Sequence, residues 1–307
     1  MPRTIQYRPD LIEDLITDHR LDSYKNVFTC ADDLELVGSY LWNAHVCSAL
    51  YPLLNSAEVS LRNAIDSALT NDLGRFWWKA SKLHYNSFQA GSTQLPFAVK
   101  GLRANFSKAT KQVINDKKKR YGLSSYTPQH HEIIAKTEFS TWEFILNSKE
   151  FMGDNKIWPK NLAKVFKGGW PSTSTRTTLN RSQDLVKTVR EFRNRVSHHE
   201  PVWKKFGVND EQDAILHLHE KINKIIQLIE LVHPEKAKLV RKHGILARAE
   251  RACSLDELHI YQQRSEKYNV KSMNKLSSLA EKVSEENVSR KITIYKRNKK
   301  QIIIQPA

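Results

Sequence analysis

Apolar residues return every three or four positions through most of this chain, and clean alternation of apolar and polar residues is nearly absent before residue 290. The pattern predicts a mainly α fold. An early helix is expected over residues 39–54, with Ser39 as its N-cap and Leu41, Trp42, Val46 and Leu50 on its apolar side. A second spans 56–73 and stops at Gly74. Phe76-Trp77-Trp78 opens an aromatic, loop-like stretch that reaches Pro96, followed by helices over 97–120 and 133–146, the latter presenting Phe139, Trp142 and Phe144. Residues 158–166 read as a short helix before the turn Gly168-Gly169-Trp170-Pro171. A polar linker, 172–178, then leads into a helix over 179–199, where Leu185, Val189, Phe192 and Val196 recur at helical spacing as one buried stripe. Further helices are expected over 211–232 and 234–243, while 255–288 is polar and weakly helical. Only the end of the chain departs from this period. Residues 291–295 and 301–304 flank Arg297-Asn298-Lys299-Lys300 as a β-hairpin with a basic turn.

Composition divides the chain into an acidic N-terminal segment (1–34), a helical body (35–243) and a basic C-terminal extension (244–307) that holds the hairpin. The net charge of the 307 residues is +16, yet residues 1–50 carry four basic and eight acidic groups, so the other 257 hold +20. Such an excess attracts polyanions in a salt-dependent way, and leaves RNA, DNA, an anionic surface or plain solubility open. The 97–120 helix concentrates it: Lys108, Lys111, Lys117, Lys118, Lys119 and Arg120 face a single acid, Asp116. Together with Lys299 and Lys300 they are the candidate RNA-binding residues, and a solvated helix face is the bland alternative.

With 40% hydrophobic residues the chain can bury a core. It has no apolar run of about 18 residues, and its first residues lack the apolar stretch of a signal peptide, so neither a membrane span nor export is expected and the cytoplasm is the expected compartment. Cys30, Cys47 and Cys253 are too far apart for a metal knuckle and odd in number, which points to buried or free thiols. His130-His131-Glu132 invites a metal, but adjacent histidines diverge on a helix and need a distant third ligand, so neither a metal nor another cofactor is expected. His217 and His219 read as packed or solvated. Glu58 and Arg62 stand four apart, as a surface ion pair or part of a cleft wall. Trp77, Trp78, Trp142, Trp158 and Trp170 are core or interface residues before they are base-stacking ones. Nucleotide-triphosphatase, dinucleotide, zincin and α/β-hydrolase signatures are all missing.

The densest chemistry lies in Arg-Glu-Phe-Arg-Asn-Arg-Val-Ser-His-His-Glu-Pro, residues 190–201. Arg193, Asn194 and His198 fall within about one and a half turns of a helix that Pro201 must end. An Arg-x4-His pair is common by chance; Asn directly after the Arg makes the string more specific. Asn194 and His198 are i,i+4 neighbours, as are Arg195 and His199, and Arg193 can reach round to the same anion. Imidazole can move a proton at a ribose 2′-hydroxyl while guanidinium neutralises phosphoryl charge, which is enough to cut RNA without a metal. One histidine cannot be both acid and base, so two copies across a two-fold axis are the economical arrangement. The same residues also suit a helix C-terminus stabilised by cations, with no chemistry at all.

Arg-Asn-Arg-Val-Ser-His-His-Glu-Pro resembles the signature of the Abi-like family of bacterial abortive-infection proteins, a branch of the HEPN ribonuclease superfamily with its Arg-Asn-x-x-x-His motif. Glu58-Val59-Ser60-Leu61-Arg62-Asn63 resembles the early family helix, and residues 139–146 and 158–166 its aromatic middle section. The likeness spans roughly residues 35–235 and fades in the first 30 residues and after Gly244. It implies a HEPN-like helical bundle, a homodimer, metal-independent endoribonuclease activity and a toxin role in antiphage defence, with RNA as substrate and a regulatory or antitoxin RNA as a further partner. Carried onto this chain, Arg193 and His198 are the catalytic pair, Asn194 orients them or the phosphate, and Arg195, His199 and Glu200 are supporting residues. Members of the superfamily that bind RNA without cutting it leave a non-catalytic alternative.

Overall fold

The computed structural model describes residues 16–80, 83, 95–153, 156–264, 267–270, 272–286, 290–294 and 300–304. The mainly α expectation holds: twelve α-helices and one three-stranded sheet occur among the described residues. Contacts group the chain into two units, one of Met1–Tyr51, Arg195–Ile222 and Gly244–Ala307, the other of Pro52–Asn194 and Asn223–His243. Three of the four unit boundaries fall inside α2 (Asp33–Leu73), α7 (Thr175–Ser197) and α8 (Glu211–Val232), and the fourth follows α9 (Pro234–Lys242). The serial division at 34 and 243 follows composition; these units follow packing.

The two helices expected over 39–54 and 56–73 are one helix of 41 residues, with Pro52 inside it. Its true cap is Asp32, whose carboxylate accepts the Glu35 amide at 2.9 Å while Glu35 accepts the Ala31 amide at 2.7 Å. Ser39 is therefore interior and buried, its hydroxyl turned back to the Glu35 carbonyl at 3.0 Å. Proline removes one backbone donor, but Leu50, Leu53, Leu54, Ala57 and Leu61 are all buried around it. Burial of that stripe outweighs the local penalty. The helix ends as expected at Gly74, with φ 89.

In the first unit α1 (Asp18–Lys25) and the start of α2 join aromatic residues: Trp203 packs edge-on against Tyr24 and Phe28 at centroid distances of 5.0 and 4.7 Å. Trp42 donates its indole N–H to the Ala252 carbonyl at the end of α10 (Ile245–Ala252), at 2.8 Å. The extension also contains α11 (Leu255–Tyr261) and α12 (Met273–Glu286). Its hairpin is present: β2 (Arg290–Ile294) and β3 (Lys300–Ile304) pair antiparallel, with Ile292 opposite Ile302. The polar stretch before it holds a strand that its composition conceals, β1 (Lys267–Val270), parallel to β2. The basic turn between β2 and β3, Lys299 included, lies outside the described residues.

In the second unit, Phe106 of α3 (Phe97–Tyr121) stacks on Trp78 at 4.1 Å and meets Trp77 edge-on at 5.2 Å. Trp77, Trp142 and Trp158 are core residues whose indole N–H groups are satisfied, by Asp66, Thr137 and the Ile145 carbonyl, at 2.9–3.0 Å. The helix expected over 133–146 is two, α4 (His130–Ala135) and α5 (Phe139–Asn147). Thr137 sits in the break, donating to the Ile134 carbonyl at 2.7 Å and accepting Trp142 at 3.0 Å. After α6 (Leu162–Val165) the chain runs against the C-terminus of α8. There Lys167 and Gly168 donate to the Val232 and Leu231 carbonyls, at 3.2 and 2.9 Å, supplying partners that the helix cannot. A β-carbon on Gly168 would run into the Glu230 carbonyl, whereas one on Gly169 meets nothing within 4 Å. Urea unfolding should accordingly find Gly168→Ala destabilised by about 1–3 kcal/mol and Gly169→Ala within about 0.5 kcal/mol of the parent.

Candidate active site at the end of α7

Helix α7 begins at Thr175, four residues before the expected start, because Ser174 caps it by accepting the Thr177 amide at 3.3 Å. Val186, Val189, Phe192 and Val196 are buried along it; Leu185, expected in that stripe, is only half-buried. The helix stops after Ser197. His199 takes a left-handed conformation, φ 54, donating its amide to the Val196 carbonyl at 3.3 Å, and Glu200 donates to the Arg195 carbonyl at 3.1 Å. These two bonds make a Schellman closure with histidine where glycine is usual, a conformation that histidine tolerates better than most residues. His198 is thus the C-cap residue rather than part of the last turn.

Arg195 secures the loop beyond the helix. Its guanidinium donates to the Lys204 carbonyl at 2.7 Å and the Pro201 carbonyl at 2.5 Å, and its Nε lies 3.2 Å from Glu200. The amide of Asn43 clamps the same loop, donating to the Glu200 carbonyl at 3.1 Å and accepting the Val202 amide at 3.0 Å, while Arg20 donates to the His199 carbonyl at 2.9 Å. Arg195 and Glu200 therefore serve the loop. His198 and His199 are exposed, and neither their side chains nor that of Asn194 has a hydrogen-bond partner among the described residues.

Arg193 is half-buried, and its Nε faces Glu58 of α2 at 3.2 Å. The ion pair expected between Glu58 and Arg62 is replaced by this one, while Arg62 donates to Asn63 at 3.2 Å. The carboxyl of Glu138 is held below its ordinary range mainly by Lys108, 2.6 Å away, with a weaker pull from Arg193. Lys108 of the basic helix and the arginine of α7 thus share one carboxylate's field.

On α3, Lys111, Lys118, Lys119 and Arg120 are exposed, whereas Lys117 is committed to Glu132 at 2.8 Å and lies over the Tyr126 ring at 5.2 Å. Glu132 is pulled down to about 2 by Lys117, Tyr126 and the Gln129 amide. Neighbouring His130 holds Asp66 through Nε2 at 3.0 Å and accepts the Phe76 amide on Nδ1 at 3.3 Å. Among the described residues no group of three or more His, Cys, Asp or Glu is placed to hold a metal, and no helix is long and apolar enough to cross a membrane. Lys300 opens β3, and nothing beyond its backbone is described.

A cleft of about 820 Å³ lies in the second unit, with Leu185 and Leu231 in its wall and Arg181, Lys224, Lys238 and Arg241 among its lining cations. Glu230 neutralises Arg241 at 2.6 Å.

The family model described as Abi-like protein matches residues 6–204, well over half of the chain and inclusive of the whole α7 cap. The chain belongs to the Abi-like protein family. No curated protein and no solved structure matches it. The Abi-like match ends at Lys204, so α8 to α12 and the sheet lie beyond it. Three contributors to this Abi-like site carry no signal in the sequence: Glu58, Asn43 and Arg20 are 135, 157 and 179 residues from their partners, and no local pattern marks such pairings.

Proposed function

We propose that this Abi-like protein is a metal-independent endoribonuclease of the HEPN class that acts as a cytoplasmic toxin in abortive infection. The observation that carries the reading is the end of α7: His198 is exposed at the C-cap of a closed, clamped terminus, one turn after Arg193 and Asn194. In the reaction a ribose 2′-oxygen forms a bond to the adjacent phosphorus as the phosphorus–5′-oxygen bond breaks. The 2′ proton passes to an imidazole, and a second imidazole protonates the departing 5′-oxygen. His198 supplies one, and His198 of a second copy the other, so the working form is a homodimer. Arg193, anchored through Nε by Glu58, keeps its two terminal nitrogens for the phosphoryl oxygens, and Asn194 orients the phosphate. DNA, which has no 2′-hydroxyl, is not a substrate.

The deciding experiment incubates purified protein with RNA and with DNA of the same sequence in EDTA, and identifies the ends. RNA fragments bearing 2′,3′-cyclic phosphate and 5′-hydroxyl are expected; intact RNA would refute the assignment. Glu58→Gln should slow cleavage by about 10- to 100-fold with the fold intact, because Arg193 loses the charge that aims it. That loss should fall on kcat more than on KM in steady-state assays.

A second reading, a non-catalytic RNA-binding protein, draws on the exposed cations Lys111, Lys118, Lys119 and Arg120. It predicts binding that weakens steeply with salt and yields no cyclic-phosphate product. The same surface would suit a regulatory RNA that restrains the enzyme.

A further inference from the structure

Eight residues beyond His198 the chain presents an aromatic ring in an unusual setting. Val208 donates its amide to the Lys205 carbonyl at 3.2 Å, and Gly207 has φ 88, the geometry of a type II turn with Phe206 at its first corner. Phe206 is fully exposed. The residues that lead into the turn are fixed: Trp203 is 1% exposed between Tyr24 and Phe28, Lys204 donates to the Ser23 hydroxyl at 2.8 Å, and the Lys204 carbonyl is held by Arg195. From that carbonyl to Phe206 is at most about 7 Å of chain. The ring is therefore mounted on a loop that Arg195 of α7 holds, and has no freedom to fold into the core.

Single exposed apolar side chains are ordinary, so exposure alone decides nothing. What distinguishes Phe206 is the rigid mount, on a loop that Arg195 ties to α7, and the charge around it. Lys204 and Lys205 precede it, Glu200 is engaged by Arg195 at 3.2 Å and Glu220 by Lys205 at 3.7 Å, and after the turn Asp210 and Asp213 accept the backbone amides of Asp213 and Asn209 at the start of α8. A nucleobase brings an apolar face together with the phosphates that such a loop attracts.

We propose that Phe206 is a stacking platform for a nucleobase of the RNA strand bound at the α7 terminus. The inference rests on the endoribonuclease reading and adds a substrate-binding residue to the same site. It sets the strand's position near His198 and discriminates little between bases, because every base offers a π-face.

The test uses full-length protein carrying His198→Ala, which binds without cutting, and short single-stranded RNAs containing one 2-aminopurine. One labelled position should be quenched on binding. Adding Phe206→Ala should abolish that quenching and weaken affinity about 5- to 100-fold, while Phe206→Trp retains both. In the cutting protein, Phe206→Ala should raise KM. Equal affinity and equal quenching with Phe206→Ala, alongside undiminished cleavage by the parent, would overturn the platform and leave the ribonuclease standing. Light scattering that shows Phe206→Ala splitting a dimer at unchanged RNA affinity would assign the ring to a contact between copies and likewise overturn it. If the parent neither binds nor cuts RNA, both readings fall.

Discussion

His198→Ala should lower RNA cleavage by about two to four orders of magnitude, the range over which a positioned acid or base contributes to proton transfer. The side chain is exposed, so urea unfolding of the variant should stay within about 0.5 kcal/mol of the parent. Arg193→Ala should cost a comparable factor of about 10² to 10³ as phosphoryl charge loses its partner, but this change also strands the Glu58 carboxylate, which is 16% exposed. A loss of stability is therefore expected for Arg193→Ala alone, and the contrast separates chemistry from folding. If both groups act on one phosphate, the double variant should be scarcely slower than the worse single variant. Full activity of His198→Ala, in EDTA and free of other nucleases, would return the α7 terminus to its plain role as a capped helix end.

The features of this site that were legible in the sequence are local ones. Pro201 had to stop the helix, and Arg193, Asn194 and His198 had to fall near that stop; the structure moves the end by only two residues. His199 could take the left-handed position without glycine, so no glycine marked the cap. The β2–β3 hairpin showed because Ile292 and Ile294 alternate with polar residues and Ile302-Ile303-Ile304 follows a basic stretch, whereas β1, Lys267-Tyr268-Asn269-Val270, alternates over only four residues, too few to stand out. The break expected between residues 54 and 56 does not occur, because the burial of Leu50, Leu53 and Leu61, a tertiary effect, carries α2 through Pro52 and Ser56 against local propensity. The pairing of Glu58 with Arg193 is wholly non-local. Four residues from Arg62, Glu58 had a plausible neighbour in sequence and a different one in space.

Acidification should destabilise the protein through His217, well before its carboxylates titrate. His217 is 4% exposed on α8, neither ring nitrogen has a hydrogen-bond partner among the described residues, and the nearest carboxylate oxygen, of Glu220, is 4.0 Å from Nδ1. Burial pulls its pKa down to about 4 from an ordinary 6.5, and the cations Lys221, Lys205 and Arg195 press the same way against Glu220. Between those two values the unfolded chain takes a proton that the native chain refuses. Stability is therefore complete above about pH 6.5 and declines as pH falls toward 4, by about 2 kcal/mol at pH 5 and about 3 kcal/mol in all. Asp72, Glu138 and Glu211, whose carboxyls titrate below their ordinary range, add losses in more acid solution, and buried Glu257, shifted upward, works in the opposite direction. Urea unfolding at pH 7.5, 6 and 5 of the parent and His217→Leu isolates the imidazole from all of these. Leucine carries no proton and leaves no unpaired nitrogen, so the variant should match or exceed the parent at pH 7.5 and open a lead of about 2 kcal/mol by pH 5. Parallel pH profiles would mean that native His217 is protonated as readily as a free histidine, which its burial beside three cations should forbid.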